Sequence, residues 1–225
     1  MKKLIFTILV TVIGLNAMGM HSNYRAVPLK KATLLKTGKD KMYCSVCGMT
    51  LPMFYRTNHA ADHDGKHDQY CSIVCEIVDA VVNGKDLTNF KVVDNTTLKF
   101  IPSKDAYFVV GSKKPGTMSM VSKYAFGTKE AAIKFQKANG GKIMKFDALV
   151  KLVKKSQAKD MAMAKKRQAR AIKMGETIYK KICKPTNKEF ISTAQAKVFL
   201  KKSKICGDIK GKKLQAIGLY LVHKQ

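Results

Sequence analysis

The chain has 225 residues, enough for one ordinary domain with an appendage or for two small domains. With 46% hydrophobic and 26% charged residues it has the composition of a globular protein, which excludes disorder as its overall state. The formal charge of +28 suits an acidic protein partner or an anionic membrane surface, and a solvated lysine-rich surface is the plainer reading. Nucleic acid is not expected, because the chain carries an export signal and no basic motif interleaved with aromatics.

In chain order, Lys2 and Lys3 precede an apolar run from Leu4 to Leu15, and Asn16-Ala17-Met18-Gly19 supplies small residues. A basic start, a short apolar core and a small-residue region read as a signal peptide over residues 1–19. The run is short for a membrane span, so an uncleaved anchor is the lesser alternative. No Cys follows it to carry a lipid. Residues 20–41 are polar and basic without a period and read as a linker.

Met53 to Ala60 reads as a short strand. Asp62-His63-Asp64-Gly65 signals a hairpin, since Asp-Gly supplies the positive φ such turns need, and Gln69-Tyr70 begins the return strand. Ser72 caps a helix with Ile73, Val74, Ile77, Val78 and Val81 at helical spacing, and Asn83-Gly84 ends it. Phe90 to Val93 is a strand, with Thr97 to Ile101 as its extension. The order then recurs. Tyr107 to Val110 and Tyr124 to Phe126 are strands, Thr128 caps a helix carrying Ala131, Ala132, Phe135 and Ala138, Gly140-Gly141 stops it, and Ile143 to Phe146 is a last strand. The expected fold class is α+β: two consecutive ββαβ units over residues 42–150. A basic linker helix over 151–173 and a small all-α module over 174–225 follow.

Six cysteines are present: Cys44, Cys47, Cys71, Cys75, Cys183 and Cys206. The last two stand apart and are free to pair with each other. The first four have the spacing of metal ligands, C-x₂-C and C-x₃-C separated by a short hairpin. Cys75 lies in the first turn of a helix with Cys71 one turn before it, so both sulfurs can face one side, and the helix start favours thiolate. Cys44-Ser-Val-Cys47-Gly-Met49 adds a thioether, and Gly48 allows a tight backbone between ligands. Thiolate with thioether suits Cu(I). Met118 and Met120, in a glycine-containing loop, are further sulfur candidates, because loop methionines have little packing purpose. Zn(II) in a closed four-thiolate site is the alternative metal, and two disulfides or a redox couple are further readings of the same cysteines. His59, His63 and His67 read as a solvated hairpin with a secondary metal contact behind it. No Ser/His/Asp set, paired-carboxylate signature or phosphate loop is seen, so an enzyme is not expected.

These residues carry a resemblance. C-S-V-C-G-M at 44–49, D-G-K at 64–66, A-Y-F-V-V-G-S at 106–112, the Met118 loop and G-G-K-I-M-K-F-D at 140–147 resemble the nitrous-oxide reductase accessory family, NosL, over residues 42–150. The resemblance implies a two-lobed ββαβ fold in a periplasmic Cu(I) metallochaperone of denitrification. Such a protein would serve copper-enzyme assembly machinery through a membrane transporter complex. Cys47, Met49 and Met118 are then the leading ligand candidates. Members of that family are commonly lipoproteins and usually lack a pair like Cys71 and Cys75; Y-C-S-I-V-C at 70–75 is similar instead to small treble-clef-like metal-trafficking domains. Residues 174–225 are similar to a small c-type cytochrome without its haem motif: Cys183-Lys-Pro-Thr-Asn187 stands where C-x-x-C-H would, so no covalent haem is expected. In that module a Cys183–Cys206 disulfide would replace the haem as a staple.

Three functions therefore stand at this stage. The first is a Cu(I) chaperone. The second is a zinc-stapled interaction protein whose basic helix recruits an acidic partner. The third is a thiol redox or organomercurial-cleaving enzyme.

Overall fold

The computed structural model describes residues 23–224, and the expected signal peptide lies outside them. Strands β1 (His59–His63) and β2 (Lys66–Tyr70) form a hairpin that leads into helix α1 (Ile73–Val81), followed by β3 (Thr88–Val93) and β4 (Phe100–Pro102). Strands β5 (Tyr107–Val110) and β6 (Lys123–Phe126), helix α2 (Lys129–Asn139) and β7 (Lys142–Met144) repeat the order β1, β2, α1, β3, without a counterpart of β4. The sheets run β2-β1-β3-β4 and β6-β5-β7, antiparallel throughout. In both units the first strand is central, flanked by the second and third. The fold is α+β and the ββαβ repeat is real at the level of topology.

The first hairpin follows from its turn. Asp64 and Gly65 take φ of 48° and 69°, and His63 pairs with Lys66 across them. Helix α1 buries Ile73, Val74 and Ile77 against Phe108 and Val110 of the second sheet and Leu149 and Val153 of the following helix, so one core joins the units.

Three local expectations change. Met53 to Ala60 is mostly a 3₁₀ turn, Leu51–Thr57, and the strand begins at His59. Pro52 near its start has no N–H for a ladder and a φ preset for a helical turn. Thr97 to Ile101 does not extend β3. The Asp94 carboxylate accepts from the N–H groups of Thr96 and Thr97, folding the chain back so that β4 pairs antiparallel with β3. Residues 23–41 are packed rather than a free linker. Tyr24 meets Tyr124 edge-on at 5.3 Å, Val27 is buried with Tyr55 and Val93, and the Gln69 amide bonds the backbone of Thr33 and Leu35.

Helix α3 (Phe146–Ile182) is one unbroken helix of 37 residues. It starts where a strand was expected to end, at Phe146, and runs through both anticipated boundaries, after 150 and after 173. Its first turns bury Leu149 and Val153 in the shared core, and its last turns pack on α5 (Gly211–His223). Gly175 lets the two helices close up, since a Cβ there would collide with the Ala216 carbonyl. Helix α4 (Thr193–Ser203) completes a small core of Tyr179, Phe190, Leu200, Ile217 and Leu221. Cys183 and Cys206 are joined in a disulfide. Among the described residues, no helix is long and apolar enough to cross a membrane.

Candidate metal centre

The first cysteine pair sits on a tight knuckle. Tyr43 and Thr50 bridge at its base, the Cys44 N–H donates to the Met49 carbonyl at 2.9 Å, and the Gly48 N–H donates to the Cys44 carbonyl at 3.0 Å. Gly48 closes this loop at φ +67°, where a side chain would be strained. Cys71 directly follows β2, and Cys75 is the third residue of α1. The hairpin turn thus brings the helix start back over the knuckle.

All four sulfurs lie within 4.8 Å of one another, with Cys47–Cys71 at 3.5 Å and Cys71–Cys75 at 3.7 Å. Sulfurs on a tetrahedron with metal bonds of about 2.3 Å would stand roughly 3.8 Å apart. The Cys47–Cys71 and Cys71–Cys75 pairs lie near this spacing, and all four cysteines are free and buried. Burial opposes charge on the Cys44 sulfur, yet the thiols of Cys47, Cys71 and Cys75 directed at it hold it well below the ordinary thiol range. Burial and the neighbouring Cys44 and Cys47 sulfurs push Cys71 well up; the same neighbours, with Cys71 and burial, push Cys75 up. The four sulfurs therefore favour one thiolate stabilised by its neighbours, and a cation would displace the remaining protons.

Thioethers border the cluster. Met49 and Met118 are partly buried and pack against it. Met118 arrives from the long β5–β6 loop with φ of 61°. Arg25 donates to the Gly116 carbonyl at 2.6 Å, and the Thr57 hydroxyl lies 2.8 Å from that of Thr117 and 2.9 Å from the Cys71 carbonyl, so the loop is tied to the cysteine site. The other candidates lie elsewhere. Met120 is 67% exposed, with its sulfur against the Arg167 guanidinium at 2.9 Å. His59 is buried 3.0 Å from Glu76 and stacks on Phe108. His63 bonds the Asp86 carbonyl and His67 bonds Asp62. Among the described residues, the four cysteines are the one group of His, Cys, Asp or Glu spaced to hold an ion.

Several residues at the site escape the sequence pattern. Helix α3 roofs it. A cavity of about 270 Å³ lies between Cys47, Met49, Met118 and the Arg167–Gln168 turn of α3, and another of about 170 Å³ lies between Cys47, Cys75, Met118 and Met161. Only the Met-Ala-Met-Ala run at 161–164 hinted at a sulfur-bearing, close-packing face. Lys197 of α4 reaches the knuckle from below, fully buried, with its Nζ 2.6 Å from the Gly48 carbonyl. Burial pushes its ammonium down to about 7 against the pull of Cys47 and Cys44. Gln215 of α5 donates to the Cys47 carbonyl at 3.1 Å. Nothing in the sequence separates Lys197 from the other 42 of its 43 Lys and Arg residues.

A sequence model of the NosL family matches residues 36–154, just over half of the chain. Among solved structures, the copper chaperone NosL from Shewanella denitrificans is similar at 24% identity, over 53% of this chain and 96% of that one, with a TM-score of 0.40. No curated protein matches significantly. The matched span holds the knuckle, the helix-borne cysteines and the Met118 loop; the chain belongs to the NosL family.

Proposed function

We propose that this protein is an exported Cu(I) metallochaperone, acting in the periplasm to supply copper for assembly of a copper enzyme. One observation carries the reading: four buried cysteine sulfurs within 4.8 Å of one another, bordered by the thioethers of Met49 and Met118. Cu(I) is soft and takes few ligands, so a set of four thiols and two thioethers leaves spare sulfurs for exchange. Cys47 is the most accessible of the four cysteines, at 5% exposure, and lines both cavities. An acceptor sulfur approaching through either cavity would meet the ion there. Family membership and the similarity to a protein named as a copper chaperone support the same reading. Nitrous-oxide reductase is the client we propose, reached through a membrane transporter complex. The basic face of α3 beside the cavities suits an acidic surface on the recipient.

The second reading is a structural Zn(II) staple, favoured by the closed, buried set of four thiols within 4.8 Å of one another. Anaerobic titration of the reduced mature protein with Cu(I) and Zn(II), followed by native mass spectrometry, separates them. The chaperone reading expects one tightly held Cu(I), weakened by Cys47→Ser, Cys71→Ser, Met49→Leu and Met118→Leu. A protein that keeps zinc, rejects Cu(I) and ignores both methionine substitutions is a zinc protein.

A further inference from the structure

We infer that the C-terminal helical module latches the metal knuckle, with Lys197 and Gln215 as the positioning residues through which it slows metal release. The matched family span ends at residue 154, so this module is an addition to it. The inference deepens the proposed carrier function and rests on the four cysteines holding the cargo.

The latch is built from groups with no other task. The Lys197 ammonium has three protons and three oxygen partners: the Gly48 carbonyl at 2.6 Å, Thr50 Oγ1 at 3.2 Å and Gln215 Oε1 at 2.8 Å. It also stands 4.0 Å from the centre of the Tyr43 ring. The Gln215 amide, oriented by Lys197, spends its N–H on the Cys47 carbonyl at 3.1 Å. Two successive peptides of the knuckle, those of Cys47 and Gly48, are therefore held by helices about 150 residues further along the chain. Gly48 has room only for hydrogen on that side, because a Cβ would lie 2.8 Å from Thr193 of α4.

A fully buried lysine is expensive unless every proton is placed, and here the placement is on the metal loop rather than on a carboxylate. Negative charge on the nearby Cys47 and Cys44 sulfurs favours its protonated form. The module that carries it is held to a fixed shape by the Cys183–Cys206 disulfide and its own apolar core. The hydrogen bonds that the Cys47 and Gly48 carbonyls accept from Gln215 and Lys197 pin the peptide that bears Cys47, the ligand an acceptor must draw out. By thermodynamic linkage, a module that binds the loaded knuckle more tightly than the bare one is in turn held more tightly when metal is bound.

The test uses the full mature chain with its disulfide intact. Hydrogen exchange over α4 and α5 is compared without metal and with Cu(I), and Cu(I) transfer to a competing chelator is timed for wild type, Gln215→Ala and Lys197→Met. We expect exchange in α4 and α5 to slow on loading. We expect Gln215→Ala to hold one Cu(I) but release it about tenfold faster, with a shifted sulfur-to-copper absorption band and an apo-protein Tm lowered by the loss of one Lys197 partner. If Lys197→Met does not fold, Gln215→Ala decides alone. Metal-independent exchange in α4 and α5 overturns the latch, and so does wild-type release from Gln215→Ala. The series is repeated with Zn(II). If Cu(I) does not bind, the copper reading falls and the latch is still tested on zinc; if Cu(I) binds and Gln215→Ala is silent, the latch alone falls.

Discussion

The two ββαβ units share a strand order and differ at the start of their helices. In the first unit Cys71 precedes Ser72, the residue at the N-cap position, and Cys75 is the third helical residue. In the second, Gly127 and Ala131 hold the same positions around Thr128. The connections between paired strands differ as well. The first unit turns on Asp64 and Gly65 alone, whereas the second uses the long segment between Val110 and Lys123, which carries Met118 across to the first unit's sulfur cluster. One topology thus carries a cysteine cluster able to hold a metal in one copy and a methionine-bearing loop in the other. The scaffold offers a place where a helix start faces a loop, and the residues at that place decide whether metal chemistry occurs.

Substitutions at equivalent positions break or sharpen this comparison. The largest effect is expected at Cys71→Ser or Cys75→Ser. As proposed ligands, these thiols should on loss weaken Cu(I) by more than about 100-fold, beyond the 10- to 100-fold typical of outer-sphere changes, in chelator competition. Next is Gly48→Ala, which places a Cβ at positive φ and against Thr193; thermal denaturation of the apo-protein should show a loss of about 1–3 kcal/mol. Smaller is Thr128→Ala. Its hydroxyl accepts from the Ala131 N–H at 3.2 Å, so urea denaturation should report about 1 kcal/mol lost. Its counterpart Ser72→Ala should change stability by less than about 0.5 kcal/mol, because Ser72 makes no side-chain cap and its buried hydroxyl has no partner. Smallest is the double substitution Gly127→Cys with Ala131→Cys. It copies the helix-start pair without a facing knuckle, and native mass spectrometry should still find a single tightly bound ion.

Much of this comparison was readable along the chain. The Asp64-Gly65 turn, the Thr128 cap and the cysteine spacings are local signals, and each element they mark is present. The strand expected over Met53 to Ala60 failed because an apolar run can be strand or 3₁₀ turn, and the missing N–H of Pro52 just before it decides. The three histidines share a spacing of four but not a face: His59 belongs to the core against Glu76 and Phe108, while His63 and His67 lie towards the turn. Met120 lies two residues from Met118, yet the reversed backbone at Met118 sends the two sulfurs apart. Least legible was the joining of modules. Helix α3 looks polar because its apolar stripe is thin, yet Ala164 and Gln168 line the cavities beside Cys47. Lys197 and Gln215 find the knuckle through tertiary contacts more than 140 residues long in sequence, for which no pattern exists.

X-ray absorption at the copper edge of the Cu(I)-loaded mature protein tests the central claim most directly. A first shell of sulfur alone is expected, one that loses sulfur scattering in Cys47→Ser and changes in Met49→Leu. A shell containing nitrogen or oxygen that is indifferent to both substitutions would contradict a copper site at these residues.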